Sequence, residues 1–374
     1  MTHSHVRRTI WTALVALAFA APATARAQDI ADKLQFHASL DWGYGLSDGL
    51  PVFGINHQGT TDYKTIAVQF RYLLDDKNQF VTQLLSLSLG TSPMAATQPA
   101  ILPVWAYYQH KEGDWTFKVG RDPLPRGIYN EVRRIGTLLP FYRVGSDVYQ
   151  ETLEYIDGVV VSRRFDLGHD WTFEGNAFAG GTDLKALLPS STGVTVIQGR
   201  LENVYGGQLW LNTPIKGLRA GAFAANYQVP GSGPSLTTLY SLDGNFDHFF
   251  ARGEYTEFSS KGPKSDYTAW YGMGGIKLGE KVTLASQYMV ANRYISFPAP
   301  VAPLTVQLST DVSEGIVYAP SANVALKFEV HRHEGYSFDS NVPTFVPPTG
   351  PPFVMGLAPA SKANYLIASI AISF

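Results

Sequence analysis

The chain of 374 residues contains no cysteine. That excludes a disulfide scaffold, zinc–thiolate and iron–sulfur sites and a cysteine nucleophile, without naming a compartment. Charge is scarce as well: Asp, Glu, Lys and Arg make up 16% of the residues, against about 25% in an ordinary soluble domain. Beyond residue 30 no apolar run approaches the roughly 20 residues that a membrane-spanning helix needs. Long segments with a helical repeat are missing too, as are a nucleotide-binding glycine motif, HExxH and GxSxG. With 45% hydrophobic and 13% aromatic residues the chain is not disordered, and β structure is the natural remainder.

Arg7 and Arg8 precede the apolar stretch Ile10–Ala21, and Ala25-Arg26-Ala27 supplies a small-x-small cleavage site. Residues 1–27 therefore predict a secretory signal peptide, with a mature domain over 28–374 beginning at Gln28. The mature part carries 26 Lys and Arg against 31 Asp and Glu, a net charge of −5. That balance excludes a nucleic-acid partner.

The mature chain alternates with a period of two. Ile66, Val68, Phe70 and Tyr72 are set against Thr65, Ala67, Gln69 and Arg71. The pattern recurs over Leu34–Trp42, Trp115–Val119 and Val282–Val290, the mark of two-faced strands. Short turns are predicted near Asp75–Asn78, Glu112–Asp114, Asp166–Asp170, Thr213–Gly217, Phe246–His248, Gly279–Lys281 and Pro320–Asn323. Longer segments separate them, among them Gly45–Tyr63, Thr91–Ile101, Asp122–Glu154, Thr182–Arg200 and Glu334–Lys362. About sixteen strands with short turns at one end and long loops at the other predict an all-β, transmembrane antiparallel β-barrel in outer-membrane lipid.

Gly113-Asp114-Trp115 and His169-Asp170-Trp171 each place a Trp where a strand re-enters the membrane, as an aromatic girdle requires. Tyr107, Tyr108, Tyr205, Tyr271, Tyr288 and Tyr318 fit either a girdle or the lumen. The final residues alternate Leu366, Ala368, Ile370, Ile372 and Phe374 on one face. This ending resembles the signal by which the barrel-assembly machinery of Gram-negative bacteria recognises its substrates, which implies a place in the cell outer membrane.

The third long loop, 122–154, is rich in charge and in packing residues, Tyr129, Ile135, Leu138, Leu139, Phe141 and Tyr142 among them. Loops of that length in compact architectures are functional or disordered, and these side chains favour order. The lumen of a 16-stranded barrel is water-filled, so the loop is expected to fold inward and narrow it. The run Val119-Gly-Arg-Asp-Pro-Leu-Pro-Arg-Gly-Ile-Tyr-Asn-Glu-Val-Arg-Arg134 resembles the corresponding stretch of proteobacterial porins related to the phosphate-selective porins O and P. A lumenal third loop is also the hallmark of the general trimeric porins. The resemblance implies a homotrimeric passive channel for small hydrophilic solutes and ions, although few lysines occupy lumen-facing positions.

Charges across such a pore select by sign. The constriction is expected to hold Arg126, Arg133, Arg134 and Arg143 opposed by Glu131 and Asp147, with Arg71, Lys118, Arg164, Arg219 and Arg252 lining the pore. Arginines that pair with loop carboxylates would instead hold the loop down. His331 and His333, two apart on a strand near Glu329 and Glu334, face one side; lumen-facing histidines in water are the expectation, rather than a metal site, and no cofactor is called for. A channel selective for anions or organic acids is the alternative. An outer-membrane lipase or protease ranks lower, because the serines and histidines form no convincing nucleophile–base arrangement. A plug domain ranks lower too, since only a handful of residues separate Gln28 from the first strand.

Overall fold

Along β1 (Leu34–Ser47) the exposed Leu34, Phe36, Trp42 and Tyr44 alternate with the buried Ser39, Asp41 and Ser47. Apolar side chains thus point out and polar ones in, the inverse of a soluble protein and the pattern that hydrocarbon outside and water inside demand. The computed structural model describes residues 33–149, 153–190, 193–229, 233–260, 265–297, 299, 301–339, 345–346 and 356–374. The signal-peptide expectation for residues 1–27 lies outside the described residues.

Fifteen further strands follow: β2 (Thr60–Leu73), β3 (Asn78–Leu89), β4 (Leu102–Glu112), β5 (Trp115–Pro123), β6 (Tyr155–Gly168), β7 (Trp171–Ser190), β8 (Gly193–Asn212), β9 (Leu218–Val229), β10 (Gly233–Asn245), β11 (Phe249–Ser260), β12 (Ser265–Leu278), β13 (Val282–Ile295), β14 (Leu304–Ser321), β15 (Val324–Gly335) and β16 (Ser361–Ser373). Each pairs antiparallel with its sequence neighbours, and β1 closes the ring on β16, with Leu40 facing Ile372 and Trp42 facing Ile370. Closure gives every strand two partners, the condition for a sheet to sit in lipid without open edges. A two-residue ladder between Phe345–Val346 and Gly356–Leu357 stands apart from the barrel.

The seven short turns lie at one rim, where Phe374 also bonds in both directions to Ala38 (2.7 and 2.9 Å). His169 and Asp170 both take positive φ there, 53° and 63°, as a two-residue hairpin turn that follows the strand twist requires. At the opposite rim the structure corrects one expectation. Thr182–Arg200 is not a loop: β7 and β8 stay paired from Thr182↔Leu201 out to Ser190↔Gly193. The β-branched run Val194–Ile197 favours extended backbone, and pairing already established below it continues into the overhang.

Outward-facing aromatics form belts. Tyr240, Tyr255 and Trp270 are cross-strand neighbours on β10–β12, with Tyr288 beside Trp270 at a ring-centroid distance of 5.5 Å. Trp115, Phe117, Phe165, Trp171 and Tyr318 hold the short-turn side. Of the six tyrosines with two possible places, Tyr108, Tyr205, Tyr288 and Tyr318 face out, and Tyr107 and Tyr271 face in. On the inner face Gly120, Gly158 and Gly180 are successive neighbours. A Cβ on Gly158 would lie 2.0 Å from Ala179 O, so only glycine permits this close approach, just where β5 gives way to the long loop.

Candidate functional site: the loop-lined lumen

Residues 124–154 connect β5 to β6 and are closed at the root by Asn130, whose Nδ2 donates to Leu124 O (2.8 Å) and Glu154 O (3.0 Å). The Arg126 guanidinium donates to the carbonyls of Tyr149 (3.0 Å) and Val148 (2.6 Å) at the end of the single-turn helix α1 (Ser146–Tyr149). These bonds satisfy carbonyls that the helix cannot satisfy itself.

Beyond its root the loop packs against the barrel wall. The Phe141 ring covers Gly315 on β14, where a Cβ would lie 2.8 Å from it. Tyr142 N donates to Glu329 Oε1 at 2.6 Å, and its ring stacks on Tyr63 with centroids 4.8 Å apart. Gly136 meets Asp41 and Ala371, Ser39 Oγ donates to Arg134 O (3.1 Å), and Thr137 Oγ1 to Ser373 Oγ (3.1 Å). Every one of these wall residues lies in the phase opposite to the exposed apolar set, so the contacts are made on the inner face.

The polar anchors are buried and densely bonded. Glu254 on β11 accepts from Ser241 Oγ (2.6 Å), Ile128 N (2.9 Å), Tyr271 OH (2.6 Å) and Tyr149 OH. Arg252 Nη1 donates to Tyr129 OH (2.7 Å) and its Nε to Asp243 (2.8 Å). Tyr267 OH donates to Asp147 O (2.7 Å), and Ser309 Oγ to Asp147 Oδ2 (2.5 Å). Such networks hold only when all members are satisfied, because a buried polar group without a partner is costly.

Glu154 lies between two arginines. Arg133 Nη2 is 2.7 Å from it, and Arg134 grips it through both Nε (3.0 Å) and Nη2 (2.9 Å). Burial pushes its carboxyl up, but Arg133 and Arg134 outweigh that and hold it well below the usual range. Burial raises Asp147 against the hydrogen bond from Ser309, and lowers the Arg126 guanidinium to about 10.

The six residues expected at the constriction therefore separate. Arg126 and Asp147 are 4% and 9% exposed and sit in the seam between loop and wall. Arg133 and Arg134 clamp Glu154. Arg143 Nε donates to Tyr63 OH (2.5 Å), with its guanidinium 5.4 Å from the Phe53 ring. Glu131 alone of the six is exposed. Enclosure by the wall raises its carboxyl, and the fields of Lys118 and Arg219 act against that rise.

Arg71, Lys118, Arg164, Arg219 and Arg252 all occupy inward phases on β2, β5, β6, β9 and β11. Lys118 Nζ stands 5.3 Å from the Tyr107 ring, Arg164 is 3.7 Å from Glu174, and Arg219 and Arg252 share Asp243 at 2.9 and 2.8 Å. His331 and His333 also face inward, but not into water. They are 5% and 0% exposed, each 3.1 Å from Asp311, with His331 stacked on Tyr365 and His333 edge-on to Phe53 and Phe338. The expectation of wetted histidines is corrected: the loop and the β1–β2 connection cover them. No grouping of metal-ligating residues occurs among the described residues.

What the sequence analysis missed is the set of inward acids Asp41, Glu254 and Asp311 on three separate strands, and the bond that Glu329, named there only beside His331 and His333, accepts from the loop. Each stands at an inward position of an alternating strand, which is the only signal the sequence held for them.

A closed 16-stranded antiparallel barrel with outward apolar belts and a loop against its inner wall is the architecture of the outer-membrane porins. No protein-family model matches the sequence, and no curated protein aligns with it. Among solved structures, OmpF of Salmonella typhi, in complex with daunomycin, superposes with a TM-score of 0.59 at 10% identity, covering 91% of this chain and 97% of that one. The anion-selective porin of Comamonas acidovorans gives 0.54 at 11% identity over 91% and 99%. OmpT, an outer membrane protein of Vibrio cholerae in its trimer form, gives 0.54 at 12% over 91% and 99%. At such identities the likeness is one of fold.

Proposed function

We propose that the chain is a porin of the Gram-negative outer membrane, through which small hydrophilic solutes and ions diffuse passively. The observation that carries this is the loop: its buried contacts fix it against the inner wall, while Glu131 stays exposed within reach of the fields of Lys118 and Arg219. A solute passing there meets a carboxylate from the loop and cations from the wall, so passage depends on size and charge. Arg126, Arg133, Arg134 and Asp147 position that loop, and Arg71, Lys118 and Arg164 line the wall on the side of β2–β6. Export by residues 1–27, assembly through the strand ending at Phe374 and a homotrimeric state belong to the same proposal.

A channel preferring anions is the second reading, favoured by Arg71, Lys118 and Arg164 at inward positions on adjacent parts of the wall. Single-channel conductance in planar bilayers, with reversal potentials in a salt gradient, tests both. Stepwise openings support the porin, and the sign of the reversal potential reports the preference. Well-folded, inserted barrels without conductance would defeat the proposal.

A further inference from the structure

On the inner face of β14 and β15 two histidines and two carboxylates are joined in one chain of hydrogen bonds. Tyr142 N of the loop donates to Glu329 Oε1 (2.6 Å), and Glu329 Oε2 stands 3.2 Å from His331 Nε2. His331 Nδ1 is 3.1 Å from Asp311 Oδ1, His333 Nδ1 is 3.1 Å from Asp311 Oδ2, and His333 Nε2 is 3.2 Å from Ser337 O. Both rings and both carboxylates are buried. All four ring nitrogens thus face oxygens, and a carboxylate or carbonyl oxygen can only accept.

Counting hydrogens fixes the charge. Each of these four ring contacts needs a hydrogen, and two neutral imidazoles supply only one apiece. Two further protons are required, and because carboxyls are the stronger acids they sit on the rings. Two imidazolium and two carboxylate groups then balance. The other bonds to Asp311 come from hydroxyls, Ser313 Oγ at 2.6 Å and Tyr365 OH at 3.2 Å, and bring their own hydrogens. Around the set stand Asp147 of α1 and Asp339 after β15, both in the field of His333, Arg143, which acts on Asp339, and on the Glu329 side the Lys327–Asp41 pair at 3.8 Å. Loss of either extra proton would set lone pair against lone pair and leave a buried net negative charge, and both are costly.

Three segments meet on this set. The loop is held through Tyr142 N and by Phe141, whose ring lies 6.2 Å from that of His331. The segment after β15 is held through Ser337 O and by Phe338, edge-on to His333 at 5.0 Å. The β1–β2 connection is held by Phe53, edge-on to His333 at 5.7 Å, and its Gly54 N donates to Asp339 at 2.6 Å. We propose that this buried set is a proton-operated latch, which seats the loop while the proton between His331 and Glu329 is present and gives the loop up when alkali removes it. Regulation of the pore by the latch rests on the channel reading above, whereas the latch itself is read from the loop and the rings without conduction.

Glu329→Gln tests the latch. Its amide oxygen can keep the bond from Tyr142 N while its NH2 donates to a neutral His331, so that one proton is no longer needed. Folded full-length protein in detergent is treated with proteinase K at about pH 7 and about pH 10, both above an ordinary histidine's value near 6.5. In the wild type the loop should be cut about tenfold faster at the alkaline end, and in Glu329→Gln the two rates should agree within about twofold. Equal rates in the wild type, or a Glu329→Gln loop cut fast at both, overturn the proposal. Nitrogen-15 spectra of labelled histidine supply a readout that a purely structural role would not move. Two doubly protonated rings should persist at about pH 8 in the wild type and one in Glu329→Gln, whereas rings that all titrate near 6.5 overturn the latch. In planar bilayers the wild type should show higher conductance at the alkaline end. A folded chain that never conducts defeats the channel alone, since cleavage and spectra still report the latch; a conducting chain that fails both defeats the latch alone.

Discussion

Arg134 holds Glu154 through two parallel hydrogen bonds, Nε to Oε1 at 3.0 Å and Nη2 to Oε2 at 2.9 Å, with both side chains 13% exposed. The pair joins a residue 20 positions earlier, in the first third of the lumenal loop, to the point where β6 begins. Bidentate geometry makes it directional as well as strong.

Removing the carboxylate should therefore free the loop. Glu154→Gln leaves Arg133 and Arg134 without their shared anion, at a cost of roughly 3–5 kcal/mol for a broken buried pair. Arg134→Ala should cost less, because Arg133 still neutralises Glu154. Limited proteolysis of the loop and single-channel noise check both, with Glu154→Gln expected to be the more sensitive and the noisier.

Acid should act on the loop through two carboxyls of opposite sign. Glu154 is held low in the fold, so its contribution is complete above the ordinary carboxylate value near 4.3 and is lost as pH falls toward its depressed folded value. Asp147 is raised by burial, so its charged form weakens the fold above about 3.9 and the weakness disappears as pH falls. Asp147→Asn should stabilise the loop at neutral pH and make no difference once both forms are neutral. Proteolytic protection followed from pH 8 to pH 3 in the two single variants separates these effects. Loss of protection at neutral pH in Asp147→Asn would mean that the charged carboxylate strengthens the loop rather than weakening it.

The fit of Phe141 over Gly315 should be sensitive to one added side chain. Gly315→Val places a Cβ 2.8 Å from the ring, and overpacking of this kind costs about 1–3 kcal/mol. Phe141→Ala removes a fully buried ring, at a cost of up to about 3–5 kcal/mol. Both should release the loop and raise single-channel conductance while the barrel itself unfolds at nearly the wild-type temperature.

Glu131 should carry selectivity without carrying stability. It is exposed, so Glu131→Gln is expected to change stability by less than about 0.5 kcal/mol. Reversal potentials should shift toward anions, because the fields of Lys118 and Arg219 then lose the loop carboxylate that offsets them. An unchanged reversal potential in a conducting Glu131→Gln channel would place the selectivity charges elsewhere.

By itself the sequence determined the barrel. Alternation of Ile66, Val68, Phe70 and Tyr72 against Thr65, Ala67, Gln69 and Arg71 fixes which face meets lipid, and a period of two is a local property that survives without any tertiary contact. The seven short turns were legible for the same reason, as was the loop between β5 and β6. What only the tertiary structure decided is which charges hold that loop and which meet the pore. Arg126, Glu131, Arg133, Arg134, Arg143 and Asp147 look alike in the sequence, yet only Glu131 remains exposed. Arg126, Arg133 and Arg134 find their partners within the loop, but the loop is seated by Glu254, Ser309, Glu329 and Tyr63, which bond Ile128, Asp147, Tyr142 and Arg143 from strands more than 70 residues away. Such pairings depend on barrel closure and register, neither of which is written in any local window of the chain.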